Sequence, residues 1–565
     1  MINKANAIDC GSGVQLERGV AVTMRDGIEL VADHYYPPGE GPFPTLLMRQ
    51  PYGREIASTV VYAHPVWFAR AGYHVVIQDV RGRGDSEGDF YPFRNEGADG
   101  LDTLTWLVNH PACNGKIGMY GFSYQGITQW LAAAEQPPGL VAIAPWMTAH
   151  DLYHGWFYHQ GALQLTDTIG WGIQMLRGDA RRRQLESVAD ELEAAWLAVR
   201  QQAHFAPYSE LPVFEHKGLP SYVRDWIEHR TRDAYWKALD IGDRISAIRI
   251  PALHLSGWYD LFLRGSIGGF RALTAAGVPH QYLVAGPWIH IPWGNRVGET
   301  SLSVAAHFDT NKLLVRWFNH WLKGTDEFAG EPVVRHFVLG ANRWEESDVW
   351  AGHQHRDYFL RSDGAANSRK GDGKLTERPA DTVEPRDWFV YDPEVPVIAP
   401  GGPSAAAGGF DQAGIEQGNN VLVYTSEPLA EDIGVFGSPV LTLFATSSAE
   451  TTDFVGKLIR VRPDQKCEFI CIGIARSGWL LGDTYRADQI QEWRFELEPT
   501  SCRFGKGDCI RLEIASSAFP LYDRNPGSDI PPAKASPWNW RRSTQSILHQ
   551  PGYGSKLELP IRGEE

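Results

Sequence analysis

The stretch Lys116-Ile-Gly-Met-Tyr-Gly-Phe-Ser-Tyr-Gln-Gly-Ile-Thr-Gln-Trp130 decides the fold. A short strand-like run ends at Gly121, and a helix-prone segment from Ile127 to Gln136 is stopped by Pro137-Pro138. Between them, Gly121-Phe122-Ser123-Tyr124-Gln125-Gly126 reads as a nucleophile elbow of the G-x-S-x-G kind. Small residues let the backbone close on a strained serine, whose hydroxyl then projects above a sheet at a helix N-terminus. Backbone N–H groups there favour developing negative charge. The plain alternative is a glycine-rich turn with an incidental serine; the strand before it and the helix after it argue against that.

Outward from this segment, the first third keeps a strand–helix rhythm. Thr45-Leu-Leu-Met48 and Tyr73-His-Val-Val-Ile77 read as buried strands, and Val60 to Ala71 and Asp99 to Leu107 as helices. Strands resume at Pro251-Ala-Leu-His-Leu255 and Gln281-Tyr-Leu-Val-Ala285, with a helix over Asn311 to Leu322. This pattern predicts an α/β unit with a mostly parallel sheet covered by helices. Residues 146–244 read as a helical insertion, because Leu185, Val188, Leu192, Ala195, Trp196 and Val199 mark an amphipathic helix. After Gly324, short alternating runs at Val440–Phe444, Val455–Val461, Phe469–Ile474 and Cys509–Ile514 predict an all-β sandwich or jelly roll.

A chain of 565 residues is too long for one core, and the 43% hydrophobic content excludes wholesale disorder. Lys+Arg 53 against Asp+Glu 68 leaves a net charge of −15, which speaks against nucleic-acid and anionic-membrane partners. No apolar run is long enough to span a bilayer, and Met1–Cys10 lacks a secretory pattern, so the expected address is cytoplasmic. Six cysteines without a C-x-x-C pair make neither a disulfide framework nor a zinc site. Cys467 and Cys471, four apart in a strand, are expected on one face, and His353-Gln-His355 reads as a solvated pair. Neither metal nor cofactor is expected.

Serine needs a base, and the base needs an orienting carboxylate. In an α/β-hydrolase these follow in the order Ser, Asp, His, each after a strand. Asp260 closes Ile250-Pro-Ala-Leu-His-Leu-Ser-Gly-Trp-Tyr-Asp260, and His290 closes Gln281-Tyr-Leu-Val-Ala-Gly-Pro-Trp-Ile-His290. Both sit where α/β sheets place their sites, whereas His254 and His280 read as core and loop residues.

Several further motifs appear in one order: Gln50-Pro-Tyr52, Asp79-Val-Arg-Gly-Arg-Gly-Asp-Ser-Glu-Gly88, Gly257-Trp-Tyr-Asp260, Gly286-Pro-Trp-Ile-His290 and Arg316-Trp-Phe-Asn-His-Trp-Leu-Lys-Gly324. Together with the elbow, they resemble the CocE/NonD (peptidase S15-like) serine hydrolases across nearly the whole chain. The resemblance implies an α/β-hydrolase domain (1–145 and 245–328), an inserted helical cap (146–244) and a C-terminal jelly roll (329–565). It also implies that Tyr52 and the backbone N–H of Tyr124 form the oxyanion hole. Trp156 and Trp171 of the cap, with Phe262 after the acid, match the aromatic wall of the acyl site.

Two departures matter. Gly401-Gly-Pro-Ser-Ala-Ala406 stands where bulky apolar residues occur in the resembled pattern, implying a wider or more polar pocket. Asp260 is followed by Leu261-Phe262-Leu263 rather than by acidic residues, which disfavours amino-acid esters. Gly82-x-Gly84 has the wrong spacing for a dinucleotide fingerprint, and Arg83-Gly-Asp85 is a chance match to an adhesion tripeptide. The expected protein is a serine hydrolase of small-molecule carboxylic esters with an aromatic or bulky acyl group. Amide or peptide hydrolysis, and acyl transfer, use the same machinery and stay open, as does homo-oligomerisation. A non-catalytic jelly-roll binding protein is the competing class.

Overall fold

The computed structural model describes residues 8–56, 61–199, 207–352, 354–403 and 406–562. Its first sheet has eleven strands. Their spatial order is Ile8–Asp9, Gln15–Thr23, Glu29–Tyr36, His74–Asp79, Phe43–Gln50, Cys113–Phe122, Leu140–Trp146, Ala252–Tyr259, Gln281–Ile289, Val334–Val338 and Arg343–Ser347. Neighbours from His74–Asp79 through Val334–Val338 are parallel, and the outer pairs are antiparallel.

Alternate residues of the inner strands feed two cores. Leu47 and Val76 pack with the helices Glu96–Val108 and Tyr124–Ala134, while Leu46, Met48, Val75 and Ile77 pack with Pro65–Arg70 and Thr310–Phe318. Covering both faces buries every residue of His74–Asp79 and Ala252–Tyr259, the polar His74, Gln78, Asp79, His254 and Ser256 included.

The insertion folds as helices, chiefly Leu165–Arg182, Glu186–Leu197, Tyr222–Glu228 and Ala234–Leu239. Ile169, Ile173, Leu192 and Trp226 belong to the same core as Ile127 and Trp130 of the α/β unit, so the cap is packed onto the sheet. The Gly82–Gly88 loop straps it down. Arg83 donates to Met175 O (3.1 Å) and Asp179 (3.2 Å), and Arg182 donates to Gly84 O (2.9 Å) and Ser86 O (2.5 Å). Arg83 is buried, so Arg83-Gly-Asp85 is not presented to a receptor.

The C-terminal part forms a 13-stranded sheet that is antiparallel except where Lys374–Thr376 meets Leu422–Ser426. The expected strands appear as Val440–Ser447, Asp453–Val461, Cys467–Arg476 and Cys509–Ala515. Trp258, Phe270 and Leu283 of the first unit share a core with this sheet.

Four readings change. The helix expected over Val60 to Ala71 spans Pro65–Arg70, because Pro65 suits a first helical position and His64 caps the Val66 amide; Val60 lies outside the described residues. The one expected over Asn311 to Leu322 is α-helical over Thr310–Phe318 and continues as a π-helical turn through Lys323. The first sheet runs past residue 328, since Val334–Val338 pairs with Gln281–Ile289 and then with Arg343–Ser347. Turn-rich sequence does not reveal which sheet a short strand will join. A β-bulge interrupts the Cys467–Arg476 strand, and the two thiols meet different neighbours. Cys467 lies beside Glu416 and Arg511, whereas Cys471 senses Cys502.

Candidate active site

The elbow is strained as expected. Ser123 has φ 62° and ψ −130°, a conformation costing about 1–3 kcal/mol for a side-chain-bearing residue. Hydrogen bonds hold it: its N–H donates to Trp146 O and Met147 O (both 3.0 Å), and Thr148 Oγ1 donates to its carbonyl (2.9 Å). The second glycine falls at 126, one position later than in a strict G-x-S-x-G motif. A Cβ on Gly126 would meet Thr148 Cγ2 at 2.5 Å, and one on Gly121 (φ +141°) would meet Gln125 Cβ at 2.4 Å. Gln125 occupies the intervening place and locks it. Its Oε1 accepts from the Phe122 amide (3.2 Å), and its Nε2 donates to Gln50 Oε1 (3.0 Å).

Ser123, Asp260 and His290 follow the C-terminal ends of three strands in one run of parallel neighbours: Cys113–Phe122, Ala252–Tyr259 and Gln281–Ile289. Asp260 is fully buried, and both of its oxygens are engaged. Oδ1 accepts from the Phe262 amide (2.7 Å), and Oδ2 lies 2.6 Å from His290 Nδ1. A buried carboxylate at that distance fixes the proton on Nδ1 and turns the Nε2 lone pair outward, the tautomer a general base needs. The imidazole sits near Phe122 (5.3 Å between ring centroids) and Phe262 (5.4 Å), so the ring beside the serine also brackets the histidine.

The Tyr52 hydroxyl accepts from Trp171 Nε1 at 3.3 Å, and the Ser123 side chain is among the groups that act on it. Burial raises its pKa, keeping the phenol protonated and able to donate. Tyr124 opens the helix Tyr124–Ala134, so its amide is among those an α-helix leaves without an internal partner. Its side chain is anchored at depth. The hydroxyl donates to Glu96 Oε1 (2.8 Å) and accepts from the Phe93 amide (3.0 Å), and Glu96 pairs with the wholly buried Arg49 (3.1 Å). Burial pushes the Glu96 carboxyl up, and Arg49 opposes the shift.

The expected aromatic wall is contiguous. Trp156, on a π-helical turn (Tyr153–Phe157), packs against Trp171 (4.8 Å) and Phe262 (4.7 Å). Sequence reasoning missed Phe93, which stacks on Trp171 (6.0 Å) and Tyr124 (5.3 Å) from a left-handed φ of 72°. It also missed Trp226, stacked on Trp171 (5.4 Å) and beside Phe93 (6.4 Å). No local motif marks either residue; only the meeting of loop, cap and elbow does.

The remaining candidates stand apart from this cluster. His254 is buried in the core, and His280 is exposed in a loop. His355 is exposed, while His353 lies outside the described residues, as do Ser404 and Ala405 of the Gly401–Ala406 stretch. That stretch leads to Gly409, which bridges Gly298 eight residues after His290. Among the described residues, no group of three or more His, Cys, Asp or Glu side chains is placed to hold a metal ion, and no helix is long and apolar enough to cross a membrane. Near Asp260, Glu498 is pushed up to about 7 by burial, although it pairs with Arg264 at 2.8 Å.

Comparison with known proteins agrees with this architecture. Residues 26–292 match the family described as X-Pro dipeptidyl-peptidase (S15 family), and residues 326–558 match the X-Pro dipeptidyl-peptidase C-terminal non-catalytic domain. The chain is 34% identical to cocaine esterase from Rhodococcus sp. (strain MB1 Bresler), over 96% of this chain and 98% of that protein. Two solved structures each superpose with a TM-score of 0.81 at 25% identity. An aminopeptidase from the marine sediment archaeon Thaumarchaeota archaeon is matched over 97% of this chain and 96% of that one. An α-amino acid ester hydrolase is matched over 98% of both chains.

Proposed function

Because the chain belongs to the peptidase S15 family of serine hydrolases, we propose that it cleaves carboxylic esters through a Ser123–His290–Asp260 triad, on substrates with an aromatic or bulky apolar acyl group. The observation that carries this reading is the 2.6 Å contact between a fully buried Asp260 and His290, at strand ends beside the strained Ser123.

In this mechanism, His290 Nε2 takes the Ser123 proton as Oγ bonds to the ester carbonyl carbon. The resulting oxyanion accepts hydrogen bonds from the Tyr52 hydroxyl and the Tyr124 N–H, each donor lowering the barrier by about 2.7–4 kcal/mol. Asp260 stabilises the imidazolium. When the tetrahedral intermediate collapses, the C–O bond to the alcohol breaks and His290 protonates the leaving oxygen. Water, deprotonated by His290, then attacks the acyl-enzyme; acid is released and the proton returns to Ser123. Trp156, Trp171 and Phe262 line the acyl side, where apolar area removed from water contributes about 25 cal/mol per Å².

Amide or peptide cleavage is the second reading, favoured by the S15 family description and by the likeness to an aminopeptidase. The absence of acidic residues directly after Asp260 weighs against capture of an amino-acid ammonium at that point. Matched benzoyl ester and anilide substrates separate the two. Faster turnover of the ester, abolished in Ser123→Ala with the fold retained by circular dichroism, is the expected result. Preference for the anilide overturns the ester assignment, and undiminished turnover in Ser123→Ala overturns the triad.

A further inference from the structure

Arg264 sits where three parts of the molecule meet. It lies one turn after Asp260, on the helix Leu263–Ala275, and the Leu263 amide donates to Asp260 O at 3.0 Å, so the acid and the helix share one turn. Its guanidinium donates to Gln164 Oε1 (2.9 Å), just before the cap helix that carries Trp171, and to His154 O (3.3 Å), on the turn that carries Trp156. From the C-terminal domain, Glu498 Oε1 accepts from it at 2.8 Å. Glu498 is buried in the connection between the strands Gln491–Glu496 and Thr500–Phe504, and its own amide donates to Ile472 O at 2.8 Å.

Resting on the triad reading above, we propose that Glu498 is a positioning residue of the Ser123–His290–Asp260 relay: it neutralises Arg264, so that Asp260 acts on His290 undisturbed by a neighbouring cation. A domain whose family is described as non-catalytic thereby contributes to the relay.

The electrostatics follow from burial. Burial and, after it, the charge on Asp260 lift the Glu498 carboxyl to about 7 against the pull of Arg264. Coupling between two proton-binding sites is reciprocal, so the state of Glu498 acts in turn on the Asp260–His290 pair. With Glu498 ionised, its pair with Arg264 is neutral as a whole. With Glu498 protonated, a positive charge is left over. Gln164 and His154 keep the guanidinium in place, and its charge opposes the imidazolium formed as Ser123 attacks. The other groups facing Glu498 bring no compensating charge. Burial holds Cys471 and Tyr522 protonated and neutral, and His159, 2.6 Å from the Tyr522 hydroxyl, is kept neutral by burial and by Arg264.

Glu498→Gln keeps the shape and the acceptor but not the charge. Its kcat on a benzoyl ester should be about ten-fold below wild type at pH 8.5, with KM little changed. The two enzymes should converge by pH 5.5, where the wild-type carboxyl is itself protonated. R264M/E498M removes the cation together with its partner and leaves no unpaired buried charge, so its kcat at pH 8.5 should stay within about three-fold of wild type. Full activity in Glu498→Gln at pH 8.5 overturns the proposal, and so does a deficit that is the same at every pH, which packing alone would give. If Glu498→Gln does not fold, R264M/E498M decides: a fall in kcat beyond ten-fold overturns the role given to charge. Ser123→Ala, assayed alongside, separates the two readings. Turnover persisting there rejects the triad itself, whereas an inactive Ser123→Ala beside an unaffected Glu498→Gln rejects only the part given to Glu498.

Discussion

Two histidine environments in this protein have opposite electrostatics, one half-buried against a carboxylate and one wholly buried among other rings. At the site, His290 faces a buried carboxylate 2.6 Å away. On the far antiparallel side of the sheet, His34 Nδ1 lies 3.0 Å from His74 Nε2, with His74 Nδ1 on Thr45 at 3.2 Å and the rings of His110 and Tyr36 alongside. There, burial drives His34 down to about 3 and His74 well below its ordinary value, with neighbouring imidazoles adding to the effect. Burial alone makes an imidazole a poor base, whereas a buried carboxylate lets it hold a proton in the transition state.

The sharpest way to break this contrast is to remove the carboxylate. Asp260→Asn should lower kcat by about 10⁴ while leaving the geometry intact, because the asparagine imposes the wrong tautomer. His74→Gln, which removes a titratable ring of the other cluster, should leave kcat within about two-fold. Stopped-flow or steady-state ester assays on both variants make the comparison directly. Tyr52→Phe follows in size: kcat should fall about 10²–10³ with KM little changed, since the lost donor acts on the oxyanion rather than on the ground-state ester.

Trp156→Ala tests the wall rather than the relay. The ratio of benzoyl to acetyl ester kcat/KM should fall about ten-fold, corresponding to roughly 1.4 kcal/mol of lost aromatic contact. The smallest effect concerns stability. An unfolded histidine binds a proton below about pH 6.5, but folded His34 does so only near pH 3. The unfolded state therefore binds more protons as pH falls, so the contribution of His34 to stability is present above pH 6.5 and is lost progressively down to about 3. Urea midpoints measured from pH 7 to 4 should decline, and less steeply in His34→Gln.

The proposed triad was legible because each residue follows a strand and carries its own local mark: a glycine-flanked serine, an aspartate after Gly257-Trp-Tyr, a histidine after Gly286-Pro-Trp. Phe93, Glu96 and Arg49 were not legible. They act through Tyr124 and Trp171, and side chains 28 to 78 positions away in sequence leave no pattern in a local window. Which sheet the chain joins after residue 328 was hidden for a related reason: Val334–Val338 has the length of a sandwich strand, and its partner, Gln281–Ile289, is chosen by sheet geometry.

Sequence alone determined the order of strands and helices and placed Ser123, Asp260 and His290 after strands, since hydrophobic period and turn residues act over a few positions. Tertiary structure alone decided which aromatics pack together beside Tyr124, which sheet each short strand joins, and which histidines are held neutral. Those outcomes depend on burial and on partners brought together across the chain, and solvation by distant neighbours is not encoded in any single segment.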